Sequence, residues 1–152
     1  MTHKKTKDSA AQRYVDISRS CACGNLRRAT RVITALYDSY LRPSSLKATQ
    51  FGLLITIKTL GAVTITGLAQ KSDMDRTTIT RNLKVLQDKL LIKFEQTEDR
   101  RVKKISLTDR GHEILEAAIP LWENAQNHVI RKFGEDRITS VLHELSEMIS
   151  RA

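Results

Sequence analysis

Residues 65–107 read ITGLAQKSDMDRTTITRNLKVLQDKLLIKFEQTEDRRVKKISL, and this segment has the most informative pattern of the chain. In order, it predicts a short helix, a tight turn at residues 72–75, a second helix from Arg76 and a charged hairpin. Asp75 is a favourable N-cap for the second helix. The apolar residues of that helix recur at helical spacing and define one buried face: Ile79, Leu83, Leu86 and Leu90. Elements in this order are typical of a winged helix-turn-helix unit.

The opposite face of the helix from Arg76 is basic and rich in threonine. Its candidate DNA-contacting residues are Arg76, Thr77, Thr78, Thr80, Arg81 and Lys84. An α-helix fits the major groove, where arginine reads guanine and threonine reaches phosphates or the thymine methyl group. We interpret this face as a recognition surface; the alternative is a solvated helix face that binds no ligand.

The β-forming residues 92–97 and 103–107 predict the two strands of the hairpin, and the segment between them is charged. Its candidate DNA-contacting residues are Asp99, Arg100, Arg101 and Lys103. A narrow, electronegative minor groove attracts inserted arginine. The hairpin is therefore predicted to be a wing that contacts DNA; the alternative is a solvated turn in which Asp99 pairs with an arginine.

Long helices are predicted on both sides of this unit. Apolar residues at three- and four-residue spacing predict helices over residues 20–41 and 49–61, and two more that follow Thr108 and begin at Asp136. Threonines supply three of the predicted N-caps, at Thr49, Thr66 and Thr108. These helices hold more apolar faces than one small winged domain covers, so we expect a homodimer.

The predicted fold class is mainly α with a small β-hairpin wing. Residues 1–19 are predicted to form a flexible basic arm, because they are polar and contain a lysine cluster. Residues 20–48 and 108–152 are predicted to form a helical dimerisation region. Residues 49–107 are predicted to form the winged helix-turn-helix DNA-binding domain.

The formal net charge of +9 is unevenly distributed along the chain. Residues 1–104 carry +12 and residues 105–152 carry −3, so we expect the first part to face DNA phosphates. The longest apolar run, residues 51–57, is far shorter than the roughly 18 residues of a membrane span. The N-terminus also lacks an apolar signal core. We therefore expect a cytoplasmic protein without a membrane segment.

Cysteine and histidine chemistry gives weaker signals. Cys21 and Cys23 lie two positions apart on a predicted helix, so their thiols point in different directions and do not predict a disulfide. Arg27 lies one turn from Cys23 and favours its thiolate, which makes a redox sensor chemically feasible. The four histidines have no metal-ligand spacing, and no catalytic constellation is evident. We predict no metal, no cofactor and no enzymatic activity; a thiol-dependent enzyme is the alternative.

A family resemblance rests on three matches. Asp99-Arg100-Arg101, Leu107-Thr108 and Gly111 resemble the wing signature D-x-R followed by L-T-x-x-G of MarR-type regulators. Residues 76–92, RTTITRNLKVLQDKLLI, resemble the recognition helix and following turn of that family. The resemblance implies a triangular homodimer with intertwined first and last two helices, a wing arginine in the minor groove, and an effector pocket between the dimerisation and DNA-binding parts.

A narrower resemblance concerns the peroxide-sensing OhrR-like branch of the family. Cys23 precedes Tyr37 by fourteen residues, similar to the reactive cysteine and tyrosine of that branch, but Ala48 and Arg27 stand where further tyrosines are expected. An apolar pocket for an aromatic effector is a second option, with four candidate lining residues: Tyr37, Tyr40, Phe51 and Trp122. Core packing or dimer contacts are the alternative role for these aromatic residues.

The predicted function is a sequence-specific transcriptional regulator of double-stranded DNA with a pseudo-palindromic operator. It is predicted to be a repressor that a small aromatic or oxidant effector releases. The alternatives are a thiol-based redox-sensing regulator that uses Cys23 or Cys21, and an architectural protein that binds DNA without sequence specificity.

Overall fold

A computed structural model describes residues 12–96 and 103–151. The chain divides into two compact units, with the boundary between Leu36 and Tyr37. Residues 12–20 form helix α1, and helix α2 spans Ala22–Leu41 and so crosses the boundary. The expected flexible basic arm over residues 1–19 is helical over residues 12–19, where Gln12 and Asp16 form an i,i+4 side-chain hydrogen bond of 2.8 Å. Residues 1–11 lie outside the described residues.

The unit from Tyr37 contains the winged helix-turn-helix elements. A 3₁₀ turn at Arg42–Ser44 leads into α3 (Ala48–Leu60), β1 (Val63–Thr64), α4 (Ile65–Lys71), α5 (Arg76–Asp88), β2 (Ile92–Gln96), β3 (Lys103–Leu107), α6 (Asp109–Phe133) and α7 (Glu135–Arg151). The strands form one antiparallel sheet in the order β1-β3-β2. The predicted fold class, mainly α with a small β wing, is confirmed, and the short β1 joins the hairpin as a third strand.

Side-chain caps fix where the helices begin. Asp75 accepts a 2.8 Å hydrogen bond from the N–H of Thr78, and Thr108 accepts one of 2.9 Å from Gly111, so both predicted caps are confirmed. Thr66 is not the cap of α4, because Thr64 accepts the N–H of Gly67 at 3.0 Å.

The predicted cap at Thr49 is also wrong. Helix α3 begins one residue earlier, at Ala48, whose N–H donates to the carboxylate of Asp38 at 2.7 Å. The same carboxylate lies 3.1 Å from the ammonium group of Lys47. A side chain of α2 therefore supplies the cap that a local threonine was expected to provide.

The core lies between α3, α4, α5, the sheet and the first half of α6. It is built almost entirely from leucine and isoleucine, and its fully buried members include Leu53, Leu54, Ile57, Leu68, Ile79, Leu83, Leu86, Ile105 and Leu115. Burial of such side chains contributes roughly 1.5–3 kcal/mol each. Because Leu115 and Ala118 belong to this cluster, the core continues past residue 107 into α6.

Leu90 does not share the buried face of α5, contrary to the sequence expectation. Its side chain is 66% exposed and its φ is +59°, in the left-handed region. The N–H of Leu91 donates to the carbonyl of Leu86, and that of Leu90 to Gln87. This is a Schellman motif, in which the helix has ended before the apolar spacing does.

Helix α7 buries none of its residues within the described chain. Its exposed apolar residues share one face at helical spacing: Val141, Leu142, Met148 and Ile149. Helix α6 continues through Pro120. Within residues 12–96 and 103–151, no helix has the length and apolar character that a membrane crossing requires.

Candidate nucleic-acid interface

Helix α5 presents a polar face to solvent because its opposite face is anchored in the core. Ile79, Leu83 and Leu86 are each at most 1% exposed. These positions recur every three or four residues, so the residues between them turn outward. Arg76, Thr77, Thr80, Arg81 and Lys84 are exposed, and Thr78 is half-buried. Five of the six predicted recognition residues therefore lie on one accessible helix face.

The cations of this face are not neutralised by nearby carboxylates. Among the residues that the structure describes, Arg76, Arg81 and Lys84 form no ion pair within 4.0 Å. Arginine in this state keeps all five N–H donors available, and its planar fork matches the two acceptors of a guanine edge. The face is therefore able to bind a polyanion without first breaking internal pairs.

The threonines of α5 have different roles. The hydroxyl of Thr78 donates to the Asp75 carboxylate at 2.6 Å, and the hydroxyl of Thr80 donates to the carbonyl of Arg76 at 2.7 Å. The hydrogen bonds from Thr78 hold the pKa of Asp75 below its usual value of 3.8. Thr78 thus serves the helix cap, while Thr77 is exposed at the beginning of the helix.

The turn between α4 and α5 sets the direction of the recognition helix. The N–H of Ser72 donates to Leu68 at 3.0 Å, and that of Met74 donates to Ala69 at 3.2 Å. Asp73 adopts a left-handed φ of +48°, which reverses the chain within the turn. Met74 then packs against the core, as a hydrophobic staple before the capped helix requires.

The stem of the wing is a regular antiparallel pair. Gln96 lies opposite Lys103 and Glu95 opposite Lys104, and both lysines are exposed. The Glu95 carboxylate accepts a hydrogen bond from Ser106 at 2.8 Å and lies 2.9 Å from the ammonium group of Lys93. Of the predicted wing residues, Lys103 is exposed at the beginning of β3, whereas Asp99, Arg100 and Arg101 lie outside the described residues.

Comparison with known proteins identifies this arrangement. A family model described as the MarR family matches residues 46–103. The crystal structure of the M. tuberculosis transcriptional regulator MosR in complex with DNA has a TM-score of 0.75 and 36% sequence identity, and the match covers 87% of this chain and 98% of that chain. The chain belongs to the MarR family. The family expectation from the wing signature and the recognition-helix segment is confirmed.

Two further comparisons cover different shares of the chain. A mutant of E. coli MarR complexed with operator DNA has a TM-score of 0.78 at 21% identity, over 87% of this chain and 96% of that chain, and so shares the fold. The Bacillus subtilis HTH-type regulator YhbI is 29% identical over 84 residues, which is 55% of this chain and 54% of that protein. The chain thus spans about half the length of this relative. These similar proteins are regulators rather than enzymes.

Leu107, Thr108 and Gly111, which match the L-T-x-x-G part of the MarR wing signature, each have a structural role. Leu107 is buried, and the Thr108 hydroxyl donates to the Leu90 carbonyl at 2.7 Å while it accepts the N–H of Gly111. A Cβ atom on Gly111 would lie 2.0 Å from the carbonyl oxygen of Leu91. The motif therefore joins the end of the recognition helix to the beginning of α6.

The cysteines lie in the first unit. Cys21 and Cys23 are both free and exposed, and the N–H of Gly24 lies 3.4 Å from the Cys21 sulfur. Redox activity of either thiol stays a prediction. Two histidines have protein partners: the ring of His112 lies 3.1 Å from the Lys58 ammonium group, and that of His128 lies 3.0 Å from the Tyr40 hydroxyl.

An apolar cavity of about 460 Å³ lies within the unit from Tyr37, between α3, α6 and the end of α2. Three of the four aromatic residues considered from the sequence line it, namely Tyr37, Phe51 and Trp122. Gly52, which is not among the residues predicted from the sequence, also lines the cavity. The only available signal was a glycine inside a predicted helix, which is locally unfavourable.

Proposed function

We propose that this protein is a sequence-specific regulator of transcription that binds double-stranded DNA through α5 and the wing. The observation that carries the proposal is a set of exposed cations, Arg76, Arg81 and Lys84, on a helix whose opposite face is buried. None of the three pairs with a carboxylate of residues 12–96 or 103–151. The similarity to MosR, whose structure is a complex with DNA, supports this assignment. Thr77 is exposed on the same helix, and Lys103 is exposed at the beginning of β3, in the stem of the wing.

The proposed assembly is a homodimer on a pseudo-palindromic operator. The apolar face of α7 supports it, because Leu142 and Ile149 are 54% and 65% exposed in the single chain. A contiguous apolar face of this kind is typical of a protein-protein interface. In a symmetric dimer the two recognition helices would enter major grooves about one duplex turn (~34 Å) apart.

The proposed regulation is repression that a small molecule releases. The cavity supports this part of the proposal, because its volume of about 460 Å³ lies in the usual range for small-molecule sites. A repressor of this kind would occlude a promoter and dissociate when the ligand binds. Release by oxidation of Cys23 or Cys21 is the competing mechanism.

The decisive experiment is a DNA-binding titration with a palindrome that the purified protein itself selects from random duplexes. We expect the selected duplex to bind at least roughly 10³-fold more tightly than a scrambled duplex of the same composition. Equal affinity for both would instead identify an architectural protein. Sedimentation of the free protein and of the complex would show whether two subunits occupy one site.

Substitutions test whether DNA affinity depends on the proposed surface of α5 or only on the positive net charge of the protein. Arg81→Ala and Arg76→Ala are expected to lower affinity for the selected duplex, whereas Arg131→Ala, which removes an exposed arginine of α6, serves as the matched control. To test the competing mechanism, binding is repeated after peroxide treatment of the unmodified protein and of Cys23→Ser. Loss of binding that the serine variant resists would favour thiol-based release.

A further inference from the structure

The uncharged polar side chains in the first turns of α5 are mostly engaged within the helix. Four such side chains lie in residues 76–84: Thr77, Thr78, Thr80 and Asn82. The hydroxyl of Thr78 donates to the Asp75 carboxylate at 2.6 Å, and the amide of Asn82 donates to the carbonyl of Thr78 at 2.9 Å. Both side chains are also half-buried. Neither is therefore well placed to donate to a base edge.

Thr80 is exposed, yet its hydroxyl is engaged as well. The hydroxyl donates to the carbonyl of Arg76, about one turn earlier in α5, at 2.7 Å. This is the usual length of a good O–H···O hydrogen bond. Because a hydroxyl has a single hydrogen, Thr80 has no donor for a base or a phosphate while this bond holds. The methyl group is then the part of the side chain that Thr80 offers to DNA.

The major groove displays one apolar group, the C5-methyl group of thymine, and the methyl group of threonine is a suitable partner for it. Arg76 and Lys84 are exposed about one turn before and after Thr80, on the same side of the helix. Contacts of these cations with DNA would bring the Thr80 methyl group close to the groove floor. One turn rises about 5.4 Å and base pairs are about 3.4 Å apart, so the thymine would lie within roughly two base pairs of a base that Arg76 reaches.

We propose that Thr80 is a specificity-determining residue that selects thymine through its methyl group. The bond from its hydroxyl to the Arg76 carbonyl fixes this role, because a hydroxyl that rotated freely could donate to phosphate at any sequence and give no preference. The inference rests on the proposed function, since it names the base that one residue of the recognition face reads. The competing contact is acceptance by the Thr80 oxygen of a hydrogen bond from an adenine or cytosine amino group.

The first test changes only the DNA. Each thymine of the selected duplex is replaced singly, in both half-sites, by deoxyuridine, which pairs with adenine but lacks the C5-methyl group. At one thymine position of each half-site, we expect the affinity of the unmodified protein to fall by roughly 4-fold per half-site, the value for one buried methylene group. The slope of log affinity against log salt should stay the same, because no phosphate contact is lost.

Two variants separate the methyl group of Thr80 from its hydroxyl. Thr80→Ser keeps the hydroxyl and removes the methyl group, so it should lower affinity for the thymine duplex by the same factor and be insensitive to deoxyuridine. Thr80→Val removes the hydroxyl and keeps the shape, so it should bind within about 2-fold of the unmodified protein and remain sensitive to deoxyuridine. Random-duplex selection with Thr80→Ser should lose the thymine preference at that position and keep the preferences elsewhere.

Thr59 of α3 provides the matched control. It is exposed, and its hydroxyl donates to the carbonyl of Ile55 at 2.9 Å, which is the same kind of bond on a helix outside the recognition face. Thr59→Ser and Thr59→Val should therefore leave both DNA affinity and the response to deoxyuridine unchanged. Circular dichroism and thermal melting verify that each variant is folded.

Weaker binding by Thr80→Val with full affinity of Thr80→Ser would overturn the inference, because the hydroxyl would then be the contacting group. Specific binding that no deoxyuridine substitution weakens would overturn it too, as would a Thr80→Ser variant that still responds to deoxyuridine. The comparison of thymine with deoxyuridine needs no variant and decides the question even if a variant fails to fold. Equal affinity for scrambled DNA refutes the proposed function together with the inference, whereas specific binding without a methyl response refutes the inference alone.

Discussion

Gly111 lies directly against the backbone of Leu91, and the contact leaves no room for a side chain. A Cβ atom on Gly111 would approach the carbonyl oxygen of Leu91 to 2.0 Å. That carbonyl also accepts the N–H of Thr108 at 3.1 Å, so it cannot move without breaking the hydrogen bond. The glycine therefore sets the distance between the end of the recognition helix segment and the first turn of α6.

Gly111→Ala is expected to destabilise the protein by roughly 2–3 kcal/mol, because the added methyl group overlaps a fixed backbone atom. Chemical denaturation monitored by circular dichroism measures the effect. Gly52→Ala is the matched control, because its methyl group meets nothing within 4 Å and improves helix propensity. Equal stability of the two variants would contradict the close approach.

Leu90→Gly is expected to stabilise the protein by about 1 kcal/mol. Leu90 has a left-handed φ of +59°, which costs a residue with a Cβ atom roughly 1–2 kcal/mol, and its side chain is 66% exposed, so little burial is lost. Leu90→Ala keeps the strain and should bring no gain. The denaturation midpoints of the two variants are compared. If Leu90→Ala stabilises the protein as much as Leu90→Gly does, backbone strain at residue 90 is not the cause.

Asp75→Ala is expected to lower the melting temperature by a few degrees at neutral pH, because the N-cap of α5 is lost. The folded-state pKa of Asp75 lies below its usual value of 3.8, so the stabilisation is present above that value and is lost as pH falls through the folded-state pKa. Melting curves at neutral and acidic pH should therefore converge for the unmodified protein and Asp75→Ala. A difference that persists in acid would mean that the charge of the carboxylate contributes nothing.

Arg81→Ala is expected to change the salt dependence of DNA binding as well as the affinity. If each of two copies contacts one phosphate, the slope of log affinity against log salt should decrease by roughly 1.8 for the dimer. Arg131→Ala should leave the slope unchanged. A change in affinity for the selected duplex alone, with the same slope, would indicate a base contact rather than a phosphate contact.

Thr77 and Thr78 are expected to behave differently although they are neighbours. The hydroxyl of Thr78 is committed to Asp75, so Thr78→Val should lower thermal stability and change DNA affinity little at temperatures where the protein is folded. Thr77 is exposed, and Thr77→Val should lower DNA affinity without a comparable loss of stability. The opposite pattern in paired melting and binding measurements would refute the division of roles.

Local rules predicted much of the fold. The spacing of Ile79, Leu83 and Leu86 placed the buried face of α5, and Asp75 and Thr108 were correct as N-caps because their partners lie three residues away. The recognition face follows from the same periodicity, since exposure alternates with burial along one helix. N-caps and helical periodicity of this kind depend only on residues within a few positions of one another, so the local sequence predicts them.

Some of the missed features depend on contacts between distant segments, and others on a local choice between two hydrogen-bonding patterns. The cap of α3 comes from Asp38, ten residues before Ala48, and no local pattern indicates that pair. Leu90 continues the apolar spacing of α5, but the Schellman motif ends the helix first, without the glycine that usually marks it. Gly52 lines a cavity that only the packing of α3 against α6 creates, so its position there could not be predicted from the local sequence.

Helix α7 buries none of its residues against the described part of its own chain. Its stability within one chain therefore comes mainly from its own backbone hydrogen bonds. For a helix of 17 residues, that contribution alone is marginal. If a second subunit supplies the missing burial, the stability of α7 depends on protein concentration. Dilution should then unfold this helix before the winged unit unfolds. Occupancy of an operator would in that case rise more steeply than linearly with the amount of protein in the cell. The gene's expression level would thereby become part of the regulatory circuit.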